Sequence, residues 1–121
     1  MWLFQEVQEA VFGRTVPLPQ SLSALDADHN ADWLASADGR EVFCAVPPGK
    51  AQEGDAVAIG VGGQLAHIGV LAKPSNLGDH WVLHSRRHVG AVLTLVAELP
   101  RESMSVLGYY RPAAPATRMP R

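Results

Sequence analysis

The feature that most restricts this chain is a change of hydrophobic period near residue 40. Before it, Leu3, Val7 and Val11 recur at spacing four, with Trp2 and Phe4 beside them and Gly13 where a helix would stop. That is the stripe of an amphipathic helix over residues 2–12. After it, apolar residues fall in short β-rich runs: Glu41 to Val46, Ala56 to Val61, Leu65 to Ala72, His80 to Ser85, Ala91 to Val96 and Val106 to Tyr110. Between the two regimes Pro17 and Pro19 enforce a loop, and residues 21–36 carry Leu22, Leu25, Trp33 and Leu34 among polar positions. That stretch reads as a second, poorer helix or as a pair of helical turns broken near Asn30. Helix first and strands later predicts an α+β domain whose N-terminal helix covers one face of an antiparallel sheet or half-barrel. Chemistry is then expected where helix and sheet meet.

With 121 residues, 47% of them hydrophobic, the chain has material for one domain and one core. A formal charge of −2 gives no field for holding nucleic acid or an anionic membrane, so neither is an expected partner. The single cysteine, Cys44, excludes a disulfide-built scaffold. It sits in Phe43-Cys44-Ala45-Val46, which reads as a small buried hydrophobe. The first twelve residues carry Glu6 and Glu9 and no basic residue, unlike a signal peptide, and no apolar run is long enough to span a bilayer. The expected location is the cytoplasm during expression. The stretch 112–121, rich in Pro and Ala, reads as a disordered tail behind a domain of residues 1–111.

The runs 65–72 and 80–85 flank Lys73-Pro74-Ser75-Asn76-Leu77-Gly78-Asp79, a segment dense in turn residues, and read as a hairpin. With its centre between Ser75 and Asn76, His67 faces His84, Ile68 faces Leu83 and Val70 faces Trp81. Ile68, Val70, Trp81 and Leu83 then form an apolar face, and the two imidazoles become direct neighbours on the other, roughly 5 Å apart. Two adjacent imidazoles can act as a base and its orienting partner, or simply fill space at a hairpin. His80, His84 and His88 at spacing four lie too far apart on a strand to share one ion, so no metal and no cofactor is expected.

Gly54-Asp55-Ala56-Val57-Ala58-Ile59-Gly60, then Ala66-His67-Ile68-Gly69-Val70, then Val82-Leu83-His84-Ser85, and finally Gly108-Tyr109-Tyr110-Arg111 occur in that order. The series resembles the NlpC-type papain-like cell-wall cysteine peptidases, and its last piece resembles their phage tail-assembly branch. The resemblance implies the papain-like NlpC fold over residues 1–111, with His67 as general base and His84 as its orienter. It implies peptidoglycan stem peptide or phage tail proteins as partners, with the virion tail as a further location. The oligomeric state is left open.

The nucleophile departs from the pattern. The family opens its first helix with a cysteine, whose thiolate the helix N-terminus favours. Alignment of Trp2-Leu3-Phe4 and Val11-Phe12-Gly13-Arg14 with phage members puts Met1 at that position. A thioether cannot be deprotonated, and loss of such a nucleophile costs on the order of 10⁶-fold in turnover. The expectation is a domain without peptidase activity, with Met1 and Trp2 as candidates for lining the old ligand groove. An active cysteine endopeptidase of peptidoglycan stem peptides, with its nucleophile elsewhere, is the alternative.

Overall fold

The computed structural model describes residues 2–19, 27–73, 80–86 and 88–117, the side chains of 27, 28 and 73 excepted. The apolar stripe at the start forms α1 (Leu3–Phe12). At its head the Gln5 side chain accepts a hydrogen bond from the Trp2 backbone N–H at 3.1 Å, and Gly13 closes it in the left-handed conformation at φ 63°. Phe4, Gln8 and Phe12, spaced by four, are its buried positions.

The second helical stretch differs from its expected form. α2 runs Ala27–Ala35 and a separate α3 follows over Ala37–Val42. The break lies at Ser36. Its hydroxyl oxygen accepts from the Gly39 backbone N–H at 3.1 Å, which starts α3 as an N-cap. Asn30 lies inside α2 and is buried. Residues 41 and 42, expected as strand, are therefore the last residues of α3. Residues 20–26, with Leu22 and Leu25, lie outside the described residues.

The strands are β1 (Phe43–Val46), β2 (Ala56–Val61), β3 (Gln64–Lys73), β4 (Trp81–Arg86), β5 (Gly90–Leu95) and β6 (Met104–Pro112). They form one antiparallel open sheet in the order β1-β6-β2-β3-β4-β5. Gly62 and Gly63, at φ 61° and 80°, make the tight turn from β2 to β3.

The sheet is packed on both faces. On one, Phe4, Phe12 and Val16 meet Phe43, Ala56, Ile68 and Val70, with Trp33, Leu34, Leu83 and Tyr110 around them. On the other, Val57, Ile59, Leu71, Val82 and Tyr109 close over Leu99, which belongs to a 3₁₀ segment, Val96–Glu102, between β5 and β6. β2 is accordingly buried from Ala56 to Gly60 on both faces, which is why it reads as a nearly continuous apolar run.

The ends of the sheet are tied by polar side chains. Buried Gln8 donates through Nε2 to the Gly54 carbonyl at 2.8 Å and accepts at Oε1 from Arg14 Nε at 2.6 Å. Buried Asp55 accepts from Arg111 Nε at 3.1 Å and Nη2 at 3.0 Å, and from the Gln52 backbone N–H at 2.7 Å. Composition assigns 112–121 to a disordered tail, yet Pro112 ends β6 and the backbone N–H groups of Ala113 and Thr117 donate to the carbonyls of Val42 and Phe12. These anchors are backbone groups, which composition does not register. Residues 118–121 lie outside the described residues. Among the described residues, no helix is long and apolar enough to cross a membrane.

Candidate functional site

His67 and His84 come together. Their ring planes lie 12° from parallel with centroids 5.4 Å apart, and His67 Nε2 lies 3.3 Å from His84 Nδ1. The hairpin that brings them there differs in register from the expected one. Val70 pairs with Leu83 and Leu71 with Val82, a slide of two residues, with an irregularity before Lys73 and Trp81. Because side chains alternate with period two, a slide of two keeps every residue on its expected face. The imidazoles are therefore diagonal neighbours on one face rather than directly opposed. Residues 74–79 of the intervening loop lie outside the described residues.

Gly69 makes the diagonal contact possible. A Cβ there would stand 2.6 Å from a Val82 methyl and 3.3 Å from the His84 Cβ, so a side chain would occupy the space between the strands' residues. His84 is completely buried and His67 half-buried. The second nitrogen of His84, Nε2, lies 3.0 Å from Thr94 Oγ1 on β5. The site is thus a chain of three polar side chains on three adjacent strands. Thr94 was not anticipated, because its part depends on the β4–β5 register, in which Val82 faces Thr94 and His84 faces Val92.

Both imidazoles are held neutral. Burial, and secondarily the neighbouring His84, push the His67 pKa down from 6.5 to about 4. Burial also lowers that of His84, with the Glu102 carboxylate acting against it and the Arg86 guanidinium with it. Those two charges are themselves paired, Arg86 Nη1 to Glu102 Oε1 at 2.9 Å. A neutral imidazole has one donor and one acceptor nitrogen, so His67, with Nε2 engaged, has Nδ1 left for a further partner.

The histidines do not lie where helix and sheet meet. His67 faces Ile59 across β2, and Ile59 belongs to the cluster under the 3₁₀ segment. Directly opposed residues share a face, so the imidazole pair is on the side away from α1. The head of α1 nevertheless reaches the same part of β3. Trp2 shares a cavity of about 10 Å³, room for one water at most, with Leu65 and Ile68, which bracket His67 in sequence. Asn30, Trp33 and Leu34 complete its wall. Trp2 is therefore half-buried at the helix–sheet contact. Met1 lies outside the described residues. Beside this contact an open groove of about 290 Å³ runs along Ala31, Leu34, Ala35, Ala58, Leu65, Leu107 and Tyr110.

Cys44 is exposed rather than buried. It lies on β1, the edge strand, and lines a surface groove with Pro47, Lys50 and Arg111. β1 is three strand positions from β3, roughly 14 Å at the usual spacing. Through the pairs Cys44–Arg111, Ala56–Tyr110 and Ala56–Val70, it is also offset toward the Leu71 end of β3, four residues from His67. No hydrogen bond spans that gap, so Cys44 cannot be the nucleophile that His67 activates.

Among the described residues, no group of three or more His, Cys, Asp or Glu side chains is arranged to hold a metal ion. Comparison of the chain with protein-family profiles, with curated proteins and with solved structures finds no significant match.

Proposed function

We propose that this chain is an NlpC-like domain that has lost its peptidase activity and works by binding, either to peptidoglycan stem peptide or to a phage tail protein. The observation that supports this reading is a paired set of histidines with the cysteine placed elsewhere on the sheet. His67 and His84 sit 3.3 Å apart with His84 held by Thr94, as a base and orienter require. The one cysteine of the sequence lies three strands away. The position that the resemblance gives to the nucleophile is Met1, whose thioether supplies no anion. Trp2, one residue on, lines a cavity with Leu65 and Ile68 of β3, the strand that carries His67, while His67 itself faces the other side of the sheet.

The test is hydrolysis of a γ-D-glutamyl-diaminopimelate stem peptide by the chain and by a Met1→Cys variant carrying a removable residue ahead of the new cysteine. Cleavage by the variant alone supports a disabled peptidase with its base intact. Cleavage by neither removes the peptidase ancestry from the reading and leaves the histidines without a catalytic role. Cleavage by the unmodified chain refutes the proposal.

A further inference from the structure

We infer that Thr94 fixes the tautomer of the buried histidine pair, and through it decides that His67 presents a lone pair rather than a proton at Nδ1. His84 has no access to water, so both its nitrogens depend on what surrounds them, and each has one partner: His67 Nε2 at 3.3 Å and Thr94 Oγ1 at 3.0 Å. With both rings neutral, only two arrangements satisfy every contact. In the first, His67 Nε2–H donates to His84 Nδ1, and His84 Nε2–H donates to Thr94 Oγ1. His67 Nδ1 is then bare. In the second, the Thr94 hydroxyl donates to His84 Nε2, His84 Nδ1–H donates to His67 Nε2, and His67 Nδ1 carries the proton.

The first arrangement makes both rings Nε2–H tautomers, the form a free imidazole side chain prefers, and the second makes both Nδ1–H. The first needs an acceptor at the buried end of the chain, and the Thr94 oxygen is that acceptor. Take it away and His84 Nε2–H becomes a buried donor with nothing to bond, a cost that the second arrangement reduces by leaving Nε2 unprotonated. Thr94 therefore acts at a distance on His67. It is a positioning residue two hydrogen bonds from the nitrogen whose state it sets.

The experiment reads the tautomers directly, from two-bond ¹H–¹⁵N correlation spectra of the imidazoles, in which an unprotonated ring nitrogen resonates far downfield of a protonated one. The protein as it stands is expected to show Nδ1 downfield in both His67 and His84. Thr94→Val, which keeps the shape and removes the oxygen, is expected to move the downfield signal to Nε2 in both rings, and Thr94→Ser is expected to restore the original pattern. Thr94→Ala serves the same purpose should the valine variant fail to fold. An unchanged pattern in the valine or alanine variant overturns the inference, as does an Nδ1–H pattern in the unmodified protein. The role of the pair as base and orienter rests on the proposed function, and a second readout separates the two. In the Met1→Cys background, Thr94→Val is expected to lower kcat by about 100-fold or more with KM little changed, and Thr94→Ser to recover it. A tautomer swap without any cleavage by Met1→Cys discards the peptidase reading and retains the assignment to Thr94.

Discussion

The depressed pKa of His67 makes a prediction about stability that needs no knowledge of function. In the unfolded chain His67 takes up its proton near pH 6.5, and in the folded protein it does so only near 4. Between those values the unfolded state binds one proton more. Stability is therefore complete above pH 6.5, falls as the pH drops toward 4, and stops falling on this account below that, where both states are protonated. The gap corresponds to about 3 kcal/mol as an upper figure, a large part of the total for a domain of this size. His84 adds a contribution of the same sign, since its pKa is lowered too. Urea unfolding at a series of pH values between 7.5 and 4 measures this. With a slope of about 1–3 kcal/mol per molar urea, that upper figure corresponds to a fall in the midpoint of about 1–3 M. His67→Gln isolates the effect, because the amide can still donate to His84 Nδ1 but has no proton to gain. Its stability should be flatter over the same range. Stability that is level or rises on acidification, or a His67→Gln variant with the same slope as the parent, refutes the reasoning.

Three further outcomes follow from the packing. Asp55→Ala should cost about 3–5 kcal/mol in the same assay, because it leaves Arg111 Nε and Nη2 and the Gln52 backbone N–H without their acceptor at the start of β2. Gly54→Ala should destabilise by about 1–3 kcal/mol, since Gly54 has φ 92° and a Cβ would stand 2.8 Å from the Phe12 ring; a thermal midpoint within a degree of the parent contradicts this. Cys44 should react stoichiometrically with a thiol reagent in the native protein, and the labelled protein should retain its fold by circular dichroism, since its side chain is on the surface of an edge strand. Labelling that needs denaturant counts against that placement.

Strong periodicity was the most readable part of the sequence. The bounds of α1 and of β2 match the sequence reading almost to the residue, but the buried stripe of α1 is Phe4, Gln8 and Phe12, one residue on from the expected Leu3, Val7 and Val11, and Val11 is exposed. What escaped was structure decided by single polar groups. α3 is six residues long and owes its start to the Ser36 hydroxyl, so no period announces it. Gln8 sits on the buried side of α1 although its type reads as solvent-facing, because both ends of its amide find partners in Gly54 and Arg14. Cys44 was misplaced because its run Phe43-Cys44-Ala45-Val46 is apolar throughout, whereas on this edge strand Cys44 and Ala45 are both exposed. The histidine pair was legible for a specific reason. The expected register was off by two, an even slide, which preserves the face, whereas an odd one would have separated the rings. Thr94 was not legible, because β5 could be recognised as a strand without anything fixing which of its residues would lie beside His84.

The two faces of the sheet divide the work. The face under α1 holds the larger side chains and is apolar throughout its buried cluster, from Phe4 and Phe12 to Phe43 and Val70. The face under Val96–Glu102 combines an apolar cluster around Leu99 with a polar chain of His67, His84 and Thr94 at its margin. Nothing about closing that second layer requires imidazole. A buried histidine gains no stability over a well-packed aliphatic residue and imposes the acid sensitivity worked out above. Its place beside a glycine that makes room for it, with both nitrogens of His84 partnered, fits a structure organised around the state of His67 Nδ1 rather than around packing alone. That is the physical ground on which the proposed function turns to this margin rather than to the apolar groove along α2.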